Sequence, residues 1–155
     1  MAGTFIKSNA RQKGITQTCL SGHCPFDAGQ VFRVLQSGGL FLTQQVAESD
    51  KQNLKEAFGR GQSYGVPDGQ LLATCMEDMQ KVGFLELEAL EYTVTEYYQS
   101  PKDLIFLLKH TPIIPHFGEV DGDVDRLMEF IAANQTEKGI RTTAKRFVLT
   151  GRKHG

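Results

Sequence analysis

The chain lacks an excess of charge of either sign: 17 lysines and arginines stand against 18 aspartates and glutamates, for a formal charge of −1. That balance removes the usual electrostatic ground for a nucleic-acid partner, because a phosphate backbone is drawn to a strongly basic surface. The densest basic group, Lys145, Arg146, Arg152 and Lys153, is divided by an apolar run and reads as the solvated ends of a strand. Long hydrophobic runs are missing too. No apolar stretch approaches the roughly 20 residues that a membrane helix requires. Residues 1–13 offer only Phe5 and Ile6 as large apolar side chains after Met1, too few for a signal peptide. No membrane partner is therefore expected, and the expected location is cytoplasmic. Cysteine is scarce: Cys19, Cys24 and Cys75 suit reduced thiols better than a disulfide framework.

What remains is an ordinary soluble composition. At 155 residues the length argues for one domain and not two, and 40% apolar residues suffice for a core. Residues 1–18 show no period and read as a flexible N-terminal arm, with a short strand from Ile15 to Leu20. From Pro25 a helix is predicted, with Phe26, Val31, Val34 and Leu35 on one face and Gly38-Gly39 ending it. Leu40–Val46 then reads as a strand buried on both faces, as in a parallel sheet. A helix over 50–58 follows. Gly59, Gly61, Gly65 and Pro67 break the next segment, which lacks the Gly-Lys-Ser/Thr ending of a phosphate loop.

Asp68 is placed to cap a helix whose apolar stripe is Leu71, Leu72, Cys75, Met76, Met79 and Val82, with Gly83 closing it. Cys75 falls inside that stripe and reads as a core thiol rather than a nucleophile. Phe84–Tyr98 is extended: Leu85, Leu87 and Ala89 alternate with Glu86 and Glu88, and the phase flips at Leu90, which predicts a bulge or a break there. Ser100-Pro101-Lys102-Asp103 is a helix start, continued by Leu104, Ile105, Leu107 and Leu108 and stopped before Pro112. A last helix is expected to be capped by Asp123, to carry Val124, Leu127, Met128 and Ile131 inward, and to end at Gly139. A strand from Ala144 to Thr150 closes the chain. Three to five strands and five helices alternate without internal repeat, which is an α/β pattern.

Metal chemistry finds little support. His23 with Cys19 and Cys24 lacks a second ligand pair at zinc spacing. Asp121-Gly122-Asp123-Val124-Asp125 starts like a calcium loop, but Arg126 and Ala132 stand where glycine and glutamate are required. His110 and His116 flank a proline-rich turn, where helix-end and loop roles suffice. His23 has two open readings, the edge of a pocket or a solvated loop. Gln44 and Gln45, adjacent on a strand, point to opposite sides, and one of them is free to satisfy buried backbone groups.

The segment Val31-Phe32-Arg33-Val34-Leu35-Gln36-Ser37-Gly38-Gly39-Leu40-Phe41-Leu42-Thr43 resembles class I S-adenosylmethionine-dependent methyltransferases. Those proteins carry a helix ending in Arg-x-Leu-Lys-Pro-Gly-Gly before their fifth strand. Here Gln36-Ser37 replaces Lys-Pro. Thr43-Gln44-Gln45-Val46 is similar to a bacterial branch of the family, Val82-Gly83-Phe84 to the turn before its sixth strand, and Arg146–Lys153 to its terminal strand. The resemblance covers roughly residues 20–153 and implies a partial Rossmann-like fold: the last strands of a mixed sheet with flanking helices, residues 19–155 forming the domain. It implies that Ser21, Gly22 and His23 border the cofactor S-adenosylmethionine, and that Gln44 and Gln45 face the methyl acceptor. The family's Gly-x-Gly-x-Gly loop and its ribose carboxylate do not occur in these residues. The resemblance thus implies methyl transfer by a chain incomplete on its own, with weak cofactor binding, and a homodimer or a complementary N-terminal half as partner. The alternative is a non-enzymatic remnant or interaction module. No catalytic residue is indicated.

Overall fold

The computed structural model describes Gly14 and residues 16–155. The elements are, in order, β1 (Thr16–Gly22), α1 (Ala28–Val34), β2 (Leu35–Val46), α2 (Gln52–Phe58), α3 (Gln70–Val82), β3 (Phe84–Tyr98), α4 (Pro101–His110), α5 (Asp123–Asn134), β4 (Gln135–Thr136) and β5 (Gly139–Lys153). The expected arm over residues 1–18 lies outside the described residues except for Gly14 and 16–18, and its strand is found as β1. The sheet is mixed, with strand order β1-β2-β5-β3 and β4 attached to β5. β1 and β2 run parallel, with Leu20 opposite Leu42 and Gly22 opposite Gln44. β2 and β5 run antiparallel, with Leu42 opposite Thr150. This is the α/β architecture that the sequence pattern predicts. No helix among the described residues is long and apolar enough to cross a membrane.

The chain forms two compact units. The first holds the described residues up to Ala47, with Gly69–Tyr92 and Arg146–Gly155. Its core is built on Val31, Leu35, Phe41 and Met79, all wholly buried, with Phe84, Phe147 and Leu149. Burying a side chain such as Phe41 contributes about 1.5–3 kcal/mol. Rings meet edge to face at Phe26–Phe41 (4.9 Å) and Phe32–Phe84 (5.1 Å). Asp27 caps α1 by accepting the Gln30 amide at 2.9 Å.

Three expectations about this unit need correction. α1 does not run to Gly38-Gly39 but ends at Val34, because Leu35 turns extended and pairs opposite Thr16 as the first residue of β2. Gly38, with φ +78°, instead lies within β2, where the register with β1 slips. Asp68 does not cap α3. Gly69 stands at that N-cap, and the Asp68 carboxylate is held by Ser49 and Lys145. Finally, β3 has no break at Leu90. Its left-handed residue is Glu86, with φ +51°, and Phe84 and Leu87 pack on the core while Leu85 and Ala89 are exposed. The inward positions also step from Leu87 to Tyr92, an odd interval, so the buried face changes again across Leu90 within the unbroken strand. Gly83 does close α3, with φ +107° and its amide donating to the Gln80 and Met79 carbonyls.

The second unit holds Glu48–Asp68 and Thr93–Lys145. Leu54, Leu104, Leu108, Ile114 and Ile140 form its core, with Phe58 against Phe117 at 5.9 Å. Ser100 caps α4 as expected, accepting the Asp103 amide. Asp123 is not a cap. It is the first residue of α5, behind Gly122, and its carboxylate is buried. Arg60 Nη2 donates to both its oxygens, at 2.9 and 2.8 Å, and the Gly118 amide donates at 2.8 Å. The expected inward stripe of α5 holds only at Leu127 and Ile131. Phe130 completes the buried face, while Val124 and Met128 are exposed. The helix ends at Asn134, and Gly139 opens β5 instead of closing α5.

Candidate functional site

The first unit brings the C-terminal tip of β1 beside that of β2, as parallel pairing dictates: the crevice past the carboxyl ends of parallel strands is where α/β sheets bind ligands. Ser21 is buried and its hydroxyl lies 3.5 Å from the Cys24 thiol. Gly22 pairs with Gln44, and a Cβ built on it would meet nothing within 4 Å. His23 leaves the strand with φ +53°, exposed, its amide donating to the Gln44 carbonyl at 2.8 Å. Left-handed backbone is uncommon outside glycine, so the chain turns sharply at this tip.

Gln44 and Gln45 diverge as adjacent strand residues must. The Gln44 amide donates to the Tyr92 hydroxyl on β3. Gln45 is buried, and its Nε2 donates to the Cys24 carbonyl at 2.9 Å and to Thr43 Oγ1 at 2.7 Å. One of the pair thus satisfies a backbone group, as the sequence leaves open. Cys24 is half-buried, whereas burial pushes the Cys19 thiol above its usual range.

A pocket of about 310 Å³ opens beside these residues. His23, Phe26, Gln45 and Val46 form one side, and Leu71 and Asp78 of α3 contribute to the other. Of the five predicted site residues, His23 and Gln45 line it. Ser21, Gly22 and Gln44 sit at the same strand tips without lining it. The helix residues Leu71, Thr74, Cys75 and Asp78 belong to the site and were not foreseen; their spacing of 0, 3, 4 and 7 puts them on one face of α3. Among the described residues no group of three or more His, Cys, Asp or Glu is placed to hold a metal.

A sulfonium nucleoside needs a close backbone cradle and a carboxylate for its ribose. The carboxylate nearest the β1 tip in sequence, Asp27, has an oxygen committed to the Gln30 amide, and the space beside Gly22 is open rather than enclosing.

No sequence-family profile matches the chain, and no curated protein matches it in sequence. Solved structures do match. A Bacillus halodurans protein assigned as a methyltransferase is 13% identical with a TM-score of 0.52, over 93% of this chain and 72% of that one. YcgJ of Bacillus subtilis is 12% identical with a TM-score of 0.54, over 96% of this chain and 68% of that one. A Haemonchus contortus phosphoethanolamine N-methyltransferase, solved with S-adenosylhomocysteine, is 15% identical. The chain spans only 35% of that protein, and the TM-score of 0.43 is too low to add to the comparison. The element order, the mixed sheet and these two likenesses agree on the fold: the chain has a Rossmann-like α/β architecture like that of the Bacillus halodurans protein and YcgJ.

Proposed function

We propose that this chain supplies the acceptor side and one cofactor wall of a methyltransferase site, and that methyl transfer needs further residues to complete the cofactor cradle. The observation that carries this reading is the joining of the β1 and β2 tips at the mouth of the pocket, through His23 to Gln44 and Gln45 to Cys24. On this reading Ser21, Gly22 and His23 border S-adenosylmethionine, and Gln45 faces the acceptor. Gln44 takes the supporting place, since its amide is engaged by Tyr92. Holding two reactants in line is the main contribution such a site makes to the transfer.

Titration with S-adenosylhomocysteine, followed residue by residue through amide NMR shifts, tests it. Weak binding with shifts centred on Ser21, Gly22 and His23 is expected. A dissociation constant in the low micromolar range or better, about −8 kcal/mol, would overturn the incompleteness. Shifts confined to other regions would overturn the placement.

A second reading, association through the sheet edge, draws on β1. Among the described residues this strand pairs only with β2, and Leu20 on it is 63% exposed. An open edge of this kind offers backbone donors and acceptors to another strand. The partner is then a second copy or a complementary N-terminal half. Light scattering across a concentration series distinguishes them: a rising mass supports the homodimer, and a constant monomer mass removes it.

A further inference from the structure

The pocket beside the strand tips has a one-sided chemistry. Its walls are mainly apolar, with Phe26, Val46 and Leu71 contributing, and among the described residues no lysine or arginine lines it. Among the described residues its one carboxylate is Asp78, on the face of α3 that looks into it. Lys81 reaches Asp78 only at 3.9 Å and is shared with Glu77 at 3.4 Å; both Lys81 and Asp78 are more than half exposed, so this pair is weak and leaves the carboxylate able to take a second cation. Gln45 has already spent its donor nitrogen on Cys24 and Thr43. What this amide has left to offer is an acceptor oxygen. An apolar body is favoured by the walls, a hydrogen-bond donor by the acceptors, and a positive charge by Asp78. An anion would meet a carboxylate offset only by the distant, exposed ammonium of Lys81.

We propose that this pocket binds a small molecule with an apolar body of aromatic-ring size and a protonated amine, the amine directed to Asp78. The volume of about 310 Å³ suits such a ligand. The role of the ligand as methyl acceptor rests on the reading given above; its binding does not.

The test uses the whole chain without cofactor and three probes of matched size: 2-phenylethylamine, 2-phenylethanol and 3-phenylpropionate. Calorimetry gives the affinities, and amide NMR shifts locate the site. The amine is expected to bind about tenfold more tightly than the acid, with shifts at His23, Gln45 and Leu71. Asp78→Asn, on an exposed position of α3, is expected to reduce that preference to about threefold or less while 2-phenylethanol binds as before. Equal binding of amine and acid, a preference unchanged in Asp78→Asn, or no saturable shift at the pocket residues would each overturn the proposal. Amine binding without S-adenosylhomocysteine shifts at residues 21–23 would sink the methyltransferase reading alone. Those shifts without amine binding would sink this one alone.

Discussion

Gln45 Nε2 donates to the backbone carbonyl of Cys24 across 2.9 Å, tying the end of β2 to the loop that leaves β1. The same nitrogen donates to Thr43 Oγ1, so one buried amide fixes both the loop and its own strand face. Gln45→Met keeps the volume and removes both bonds. It is expected to cost about 1–2 kcal/mol, the usual penalty for leaving buried polar groups without partners. Faster amide exchange should appear in the loop at residues 23–26. Denaturant unfolding with an unchanged midpoint would show that water replaces the amide at no cost.

Gly83 closes α3 in a conformation that L side chains rarely adopt, φ +107°, and a Cβ there would come within 3.2 Å of Phe32 Cζ. Strain and contact act in the same direction. Gly83→Val should lower stability by about 1 kcal/mol or more, read from the denaturant midpoint at constant slope.

Asp68 carries a pH dependence. Burial alone would raise its carboxyl, but hydrogen bonds from Lys145 and Ser49 and the Lys145 charge outweigh it and hold the group below its ordinary 3.8. The unfolded chain therefore binds this proton more readily than the folded one. The stabilisation is fully present above the ordinary value and is lost as pH falls through the lower folded value. Asp68→Asn should be less stable than the parent at neutral pH, and the gap should close in acid. A gap that persists well below the folded value would mean that geometry, and not charge, makes the contribution.

The Arg60–Asp123 pair predicts an asymmetry. Asp123 is 1% exposed, while the Arg60 side chain is 28% exposed and its Nη1 is buried without a partner. Asp123→Ala strips the guanidinium of its counter-charge and the Gly118 amide of its acceptor, and should cost about 2–4 kcal/mol. Replacing both, Arg60→Met with Asp123→Leu, should cost less than Asp123→Ala alone. Thermal unfolding of the two variants decides it, and a double replacement that costs more than Asp123→Ala would show that the two groups do not act as a pair.

These two aspartates also mark where the sequence was ambiguous. An aspartate before an apolar run suits a helix cap, and Ser100 shows that this local reading can hold. Asp68 and Asp123 were drawn instead to Lys145 and Arg60, 77 and 63 positions away. Local pattern carries no trace of such partners. The end of α1 was missed for a similar reason: Gly38-Gly39 is a sound stop, but sheet pairing captured Leu35 first. At the site, motif similarity brought Ser21, Gly22, His23, Gln44 and Gln45 to the strand tips. It passed over Asp78, which lies outside the apolar stripe of its helix. The face shared by Leu71, Thr74, Cys75 and Asp78 was written in their spacing, but nothing in the sequence said that this face borders a pocket.

Lys51 sits in left-handed backbone, φ +54°, at the start of α2 and is nevertheless 3% exposed. Its ammonium is bound by Glu96 and by Thr142 at 2.9 Å, and lies 5.1 Å from the centre of the Tyr98 ring. The backbone favours glycine there, and the surroundings favour a long cation. No single replacement meets both demands. Glycine abandons Glu96, asparagine tolerates the turn but is too short, and arginine enlarges a head group already enclosed. In evolutionary terms position 51 is a local optimum with no gentle exit, so neighbouring residues such as Glu96 and Thr142 would have to change first before drift could pass through it.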